Sequence, residues 1–349
     1  MKNIKLFLII ATLPVCCSEK TSKITEDKTF GLISENAMVV SAREEASKIG
    51  VEIMEQGGNA FDAMIATDLA LLVSYPVAGN IGGGGFMVFR MNDGNIGALD
   101  YRETAPQLAT KDMYLDANGD VSPDKSQLGA LAIAVPGTVA GLFEIHKKFG
   151  TIPFEKLIEP AIQLARNGVV ATEAQAKRLN HQKISFRKVN QKRILYDQEW
   201  RTGDTIKNPL LVKTLERIQL HGRDGFYKGK TADLIVEQTQ KLGGIITKED
   251  LEAYKVKWRE PITFIYKDHT IISMPPPSSG GVCLAQILKS IAPFNIGQYK
   301  HNSKEYIQLI VEAERRAYAD RSHFLGDPDF INIPMDSLTG SKYLSQRID

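Results

Sequence analysis

Arg102 stands between two carboxylates, Asp100 and Glu103, in the run GALDYRE. A guanidinium is planar and permanently charged, and it can grip a carboxylate with two parallel hydrogen bonds. Strand ends and the loops beside them are frequent places for such groups. On spacing alone, the simpler reading of Arg102 is an internal ion pair with a neighbouring acid. Upstream, Gly82 to Gly85 form four consecutive glycines in NIGGGGFMVFR. Backbone this bare is used where another chain segment or a ligand passes too close for a Cβ. A phosphate loop runs strand, glycines, helix. Here a helical pattern precedes the glycines and a strand pattern follows, and there is no GxxxxGK, so a phosphate cradle is not expected. Ser278 and Ser279, in PPPSSGG, either lie beside a pocket or cap the helix that follows.

Other chemistry is hard to find. The six histidines are scattered, with no pair at metal-ligand spacing and no HExxH. There is no GxSxG elbow. DANGD (116–120) lacks the glycine and closing glutamate of a calcium loop and reads as a plain turn. Cys283 lies in the apolar run GVCLAQIL and reads as a buried structural thiol. No metal and no cofactor is expected. The 43 basic and 41 acidic residues nearly cancel, so no field recruits nucleic acid.

These residues need elements to position them. Ser41 with Glu44 has the form of a capping box and opens a helix that Gly57 and Gly58 end. Asn59 with Asp62 caps a second helix, from Ala60 to about Ser74, apolar on nearly every face and therefore buried. FMVFR and NIGALDYR read as two strands joined at Asn92-Asp93-Gly94. Residues 108–130 form a polar loop, and AVPGTVAGLFEIHKKFG gives a short strand, a turn and a helix ending at Gly150. Helices are expected over 153–167, about 171–183, from Thr247 with Asp250 as its cap, from about Val282, and from Ser303 to about Phe324. PITFIYKDHTIISM reads as two strands joined near Lys267-Asp268, and GDPDF (326–330) as a turn. Helices separated by strand pairs predict a layered α+β or α/β fold.

The N-terminus differs from the rest. Lys2 and Lys5 precede an apolar stretch from Leu6 to Val15, followed by Cys16 and Cys17. A basic start and a run too short to span a bilayer make residues 1–17 an export signal. Its ending resembles a bacterial lipoprotein signal, with Cys16 or Cys17 as the lipidated residue, although Val15 replaces the usual small residue. The expected location is the periplasm, free or anchored by lipid. Residues 18–29 are polar and aperiodic, a tether, and the folded region spans 30–349.

Seven motifs, in order, carry a family resemblance: GGNAFDA (57–63), YPVAGNIGGGGFM (75–87), ALDYRETAP (98–106), PGTVAGL (136–142), LGGIITKEDLEAY (242–254), SMPPPSSGG (273–281) and AYADRSHFLGDPDF (317–330). The sequence closely resembles the large-subunit part of gamma-glutamyltranspeptidases, also called glutathione hydrolases. The resemblance implies an α+β N-terminal-nucleophile hydrolase fold, a four-layer αββα sandwich incomplete in this chain. It implies a precursor that cuts itself, so that a new N-terminal Thr of the small subunit becomes the nucleophile, with its own α-amine as base. A γ-glutamyl amide is then attacked, an acyl-enzyme forms, and water or an amino acid or peptide acceptor resolves it. The implied partners are glutathione and other γ-glutamyl compounds, and the chain's own small subunit.

The resemblance places substrate binding on Arg102, which would hold the α-carboxylate of the γ-glutamyl group. Gly82, Gly83, Gly84, Asp100, Glu103, Ser278 and Ser279 are candidates for the pocket lining. No catalytic residue is assigned, because the Thr-Thr-His type motif of the cleavage site does not occur; Thr339 in DSLTGSKY is not that motif. The chain by itself is therefore expected to be inactive. Two other readings stay open: a β-lactam side-chain acylase of the same fold, and a non-catalytic binding lipoprotein or remnant.

Overall fold

A computed structural model describes residues 31–348. The export signal with Cys16 and Cys17, and the tether 18–29, lie outside the described residues. The chain divides at Met38: residues 31–38 carry no helix or strand, and every element belongs to the unit that begins at Val39.

Helix α1 (Glu44–Glu55) is capped differently from the sequence expectation. Its N-cap is Arg43, and the side chain of Ser41 donates to Arg43 O at 2.8 Å and meets the Ser47 hydroxyl at 2.8 Å. Ser41 is thus two residues before the cap and does not form a box with Glu44. The helix ends where Gly57 adopts φ +91°, which a Cβ would strain. Helix α2 (Ala60–Ser74) has the predicted capping box: Asn59 Oδ1 accepts from Phe61 and Asp62 N–H, and Asp62 accepts from Asn59 N–H. Asp62 is fully buried and also accepts from the N–H and hydroxyl of Thr151, which pins the start of α2 to a distant loop.

Strands β1 (Phe86–Arg90) and β2 (Ile96–Asp100) form the expected hairpin, with Gly94 in the turn. After a short helix α3 (Pro123–Gln127) come α4 (Thr138–Phe149), α5 (Phe154–Asn167) and α6 (Glu173–Asn190), the last longer than its pattern suggested. A small ribbon, β3 (Val169–Val170) with β4 (Thr205–Ile206), precedes α7 (Pro209–His221), α8 (Asp224–Tyr227) and α9 (Gly229–Lys241). Helix α10 (Lys248–Ala253) carries the predicted Thr247–Asp250 capping box. Strand β5 (Lys257–Arg259) then pairs antiparallel with β2, Asp100 opposite Lys257 and Ala98 opposite Arg259. Side chains alternate along a strand, so Asp100, Lys257 and Arg259 share one face of this sheet.

The second half is smaller. The predicted hairpin of β6 (Ile262–Tyr266) and β7 (His269–Ser273) leads into α11 (Gly280–Ile291), α12 (Lys304–Phe324), α13 (Met335–Thr339) and α14 (Ser341–Ile348). The main core joins α2, β2, α4, α5 and α7 through Leu69, Leu99, Leu142, Leu157 and Leu215, each at most 2% exposed. A second core of Val282, Ile333 and Leu338 holds α11 to the C-terminal helices. Cys283 is free and 6% exposed in α11, and burial pushes its thiol up, in keeping with a structural role.

The glycine run is explained by what crosses it. Gly83 O accepts from the N–H groups of Gly137 and Thr138 at 2.8 and 3.0 Å, satisfying the start of α4, which has no side-chain cap. Gly85 exchanges hydrogen bonds with Tyr101, and a Cβ on Gly84 would lie 2.5 Å from Tyr101 O. Three stretches of backbone therefore converge where Tyr101 leads into Arg102.

Replacing Asp62 with Ala should strand the Asn59 and Thr151 donors and cost about 3 kcal/mol, read as a lower denaturation midpoint. Asp68, also on α2, has no hydrogen-bond or ion-pair partner among the described residues, and burial pushes its carboxyl up to about 6. The folded state then holds a proton that the unfolded state, near 3.9, has released. Stability should fall as pH rises from about 4 to about 6, and Asp68→Asn should flatten that slope in pH-dependent denaturation.

Candidate active site

An open cleft of about 1030 Å³ lies between two walls. Gly84, Asp100, Arg102 and Glu103, with Lys257 and Arg259 of β5, form one. The other joins the start of α11, through Ser278 and Ser279, to the end of α12 and the following loop, through Arg321, Asp327 and Asp329. Of the residues singled out from sequence, Gly84, Asp100, Arg102, Glu103, Ser278 and Ser279 thus line one cleft. Gly82 and Gly83 lie outside that lining, beside Asn80.

Arg102 is held by its backbone and not by its charge. Its N–H donates to Asp100 Oδ1 at 3.0 Å, and its carbonyl accepts from the Tyr254 hydroxyl at 2.8 Å. Among the described residues, no acceptor or carboxylate engages its exposed guanidinium. The internal ion pair that local spacing favoured does not form. Asp100 is instead taken by Arg259, whose Nε and one terminal nitrogen donate to Oδ2 at 3.0 and 2.9 Å. The same guanidinium donates to both oxygens of Asp329, at 3.1 and 3.0 Å. Lys257 also pairs with Asp329.

On the facing wall, Arg321 Nε donates to Ser279 Oγ at 3.0 Å. Ser279 occupies the N-cap position of α11 without a side-chain cap, while Ser278 Oγ accepts from Gly280 N–H at 3.3 Å. Sequence spacing finds none of Arg259, Asp329, Tyr254 and Arg321. Arg259 lies 159 positions from Asp100 and 70 from Asp329, beyond any local pattern. GDPDF makes the expected turn, Phe330 N–H donating to Asp327 O at 3.0 Å. That turn also delivers Asp329 to the clamp. DANGD is a turn as well, Asp116 Oδ1 accepting from Asn118 and Asp120 N–H.

The open, charged cleft holds one arginine, Arg102, whose guanidinium has no partner among the described residues and whose main chain is fixed, a donor group able to take an anion. The fold around it defines the class, an α+β N-terminal-nucleophile hydrolase, shared with its solved neighbours. Residues 46–349 match the model of the family described as Gamma-glutamyltranspeptidase, and the chain belongs to that family. It is 43% identical over 330 residues to the glutathione hydrolase proenzyme of Escherichia coli K12, covering 93% of this chain and 57% of that protein. The crystal structure of Helicobacter pylori gamma-glutamyltranspeptidase superposes at TM-score 0.88 with 43% identity, covering 91% of this chain and 92% of that one. An acylase ACY 1 proenzyme from a Pseudomonas strain is 33% identical over 319 residues, covering 89% of this chain and 57% of that protein. The chain thus spans little more than half the length of these curated relatives.

Hydrogen bonds from Arg259, then Lys257, hold the Asp329 carboxyl well below the usual carboxylate range. A depressed folded value contributes stability above the unfolded value, near 3.9, that is lost as pH falls through the folded one. Asp329→Asn should therefore be destabilised relative to wild type above about pH 4. The gap should close in stronger acid, as followed by thermal melts across pH.

Proposed function

We propose that this chain is the large-subunit part of an exported γ-glutamyltransferase or glutathione hydrolase, and that Arg102 holds the α-carboxylate of the γ-glutamyl group. The observation that carries the reading is the free guanidinium of Arg102 in the cleft, beside an Asp100 already satisfied by Arg259. A γ-linked substrate is distinguished from an ordinary peptide by a free α-carboxylate next to the reacting arm. A bidentate arginine reads that feature.

The nucleophile is assigned to an N-terminal Thr outside these 349 residues, since no Thr-led motif of that type occurs among them. There the hydroxyl would add to the γ-carbonyl while the adjacent α-amine takes its proton. The tetrahedral intermediate would expel the amine, which leaves with that proton, and give a γ-glutamyl ester. Water or an acceptor amine would resolve the ester. The cleft wall described here would orient the glutamyl group and would not itself perform chemistry. Family membership and the names of the relatives support the substrate class. The basic, apolar, cysteine-ended start supports export and an anchor at Cys16 or Cys17.

Binding of L-glutamate, followed by calorimetry, should weaken about tenfold to a hundredfold in Arg102→Ala, the loss of a charge-assisted pair worth about 1.5–3 kcal/mol. Arg102→Lys should recover only part, because a point charge lacks the fork. With the Thr-bearing segment supplied, the same variants should raise KM for glutathione more than they lower kcat. Turnover of a β-lactam side-chain amide without turnover of glutathione would instead assign the acylase activity.

A further inference from the structure

Arg102 and Asp100 are two residues apart, of opposite charge, and joined through the backbone of one and the carboxylate of the other at 3.0 Å. Left alone, they would pair. Asp100 is 7% exposed, so its charge cannot be left to water and must be met by a cation. Arg259 meets it from across the sheet. The β2–β5 register puts Ala98 opposite Arg259 and Asp100 opposite Lys257, so the Arg259 side chain reaches Asp100 along the diagonal on their shared face. Its remaining donors go to Asp329, on the loop after α12.

We propose that Arg259 is the positioning residue of this cleft: by occupying Oδ2 of Asp100 it keeps that carboxylate off the Arg102 guanidinium, which stays open to an incoming α-carboxylate. The inference rests on the reading of Arg102 given above. The division of labour within Asp100 is the core of it. Oδ1 orients Arg102 through its N–H, and Oδ2 is neutralised by Arg259. Oδ2 accepts two hydrogen bonds from Arg259 and Oδ1 accepts the Arg102 N–H, so the charge that would draw the Arg102 side chain is already met. Asp329 holds the other edge of the Arg259 fork, so the guanidinium cannot swing away to release Asp100. The same bridge ties the sheet wall of the cleft to the α12 wall.

The test has one arm without ligand and one with. The side-chain Nε–H resonance of Arg102, assigned by its loss in Arg102→Lys, is followed by NMR in the ligand-free chain. In Arg259→Gln it should shift and exchange more slowly with water, as Arg102 falls onto Asp100. In the double variant Asp100→Asn with Arg259→Gln, the amide oxygen still accepts from Arg102 N–H but no charge remains, and the resonance should return to its wild-type position. In the second arm, L-glutamate should bind Arg259→Gln about tenfold more weakly, the scale of one charge-assisted hydrogen bond, and bind the double variant within about threefold of wild type. A role confined to stapling the walls predicts the opposite order, with the double variant no better than the single. That order, or an unmoved Arg102 resonance in Arg259→Gln, overturns the proposal.

Absence of glutamate binding in the wild type would sink the reading of Arg102 as a substrate group, and the resonance arm would still decide the clamp. Should Arg259→Gln fail to fold, Arg259→Lys keeps a charge but loses the fork. The Arg102 resonance should then move part of the way, and no movement would count against the clamp.

Discussion

The guanidinium of Arg259, shared between Asp100 and Asp329, is the interaction on which the rest of the cleft depends. It is fixed on β5 by main-chain pairing to β2, and its two partners come from the sheet and from the loop after α12. An ionised carboxylate as buried as Asp100 costs several kcal/mol unless it is paired and hydrogen-bonded. The pairing is therefore a condition of this fold and not a surface ornament. It joins the part of the chain around the main core to the part around the smaller one of Val282, Ile333 and Leu338.

Backbone geometry does the remaining work. Gly84, Gly85 and Gly137 let three chain segments meet at Tyr101, where any side chain on Gly84 or Gly137 would strike the Tyr101 carbonyl. Tyr254, stacked on Tyr227 at 5.9 Å, then fixes the carbonyl of Arg102 with its hydroxyl. A residue whose N–H and C=O are both committed has little freedom except in its side chain. The result is a charged group on a rigid base, the arrangement in which recognition loses least entropy on binding. The bare glycines therefore serve Arg102 at one remove, by fixing where its backbone emerges from the core.

Much of this was legible in the sequence wherever the cause was local. The Asn59–Asp62 and Thr247–Asp250 boxes and the α12 start at Ser303 follow from side chains bonding backbone within a few residues, and the β1–β2 and β6–β7 hairpins from strands that pair across short turns. Ser41 and Glu44 show how such a signal misleads: the spacing is right, but the helix begins two residues too late for Ser41 to reach it. Helix α7 carries a mark of the same kind, Asn208 Oδ1 accepting from Leu211 N–H just ahead of Pro209, whereas α8 and α9 have no side-chain cap. In the cleft, spacing suggested that Arg102 pairs with its neighbours, and only the family motif pointed away from that. Arg259 and Asp329 were invisible because their meaning lies in strand register and in a contact across 70 positions. Ser278 and Ser279 sat between two readings, and both line the cleft while only Ser278 offers its hydroxyl to the α11 backbone.

The central claim is that Arg102 is kept free to take a carboxylate, and a crystal structure of the chain with L-glutamate tests it most directly. The account predicts the α-carboxylate bound by two hydrogen bonds from the Arg102 guanidinium, with Arg259 still on Asp100 and Asp329. Glutamate bound elsewhere in the cleft, or an Arg102 side chain turned onto Asp100 with the ligand present, would contradict it.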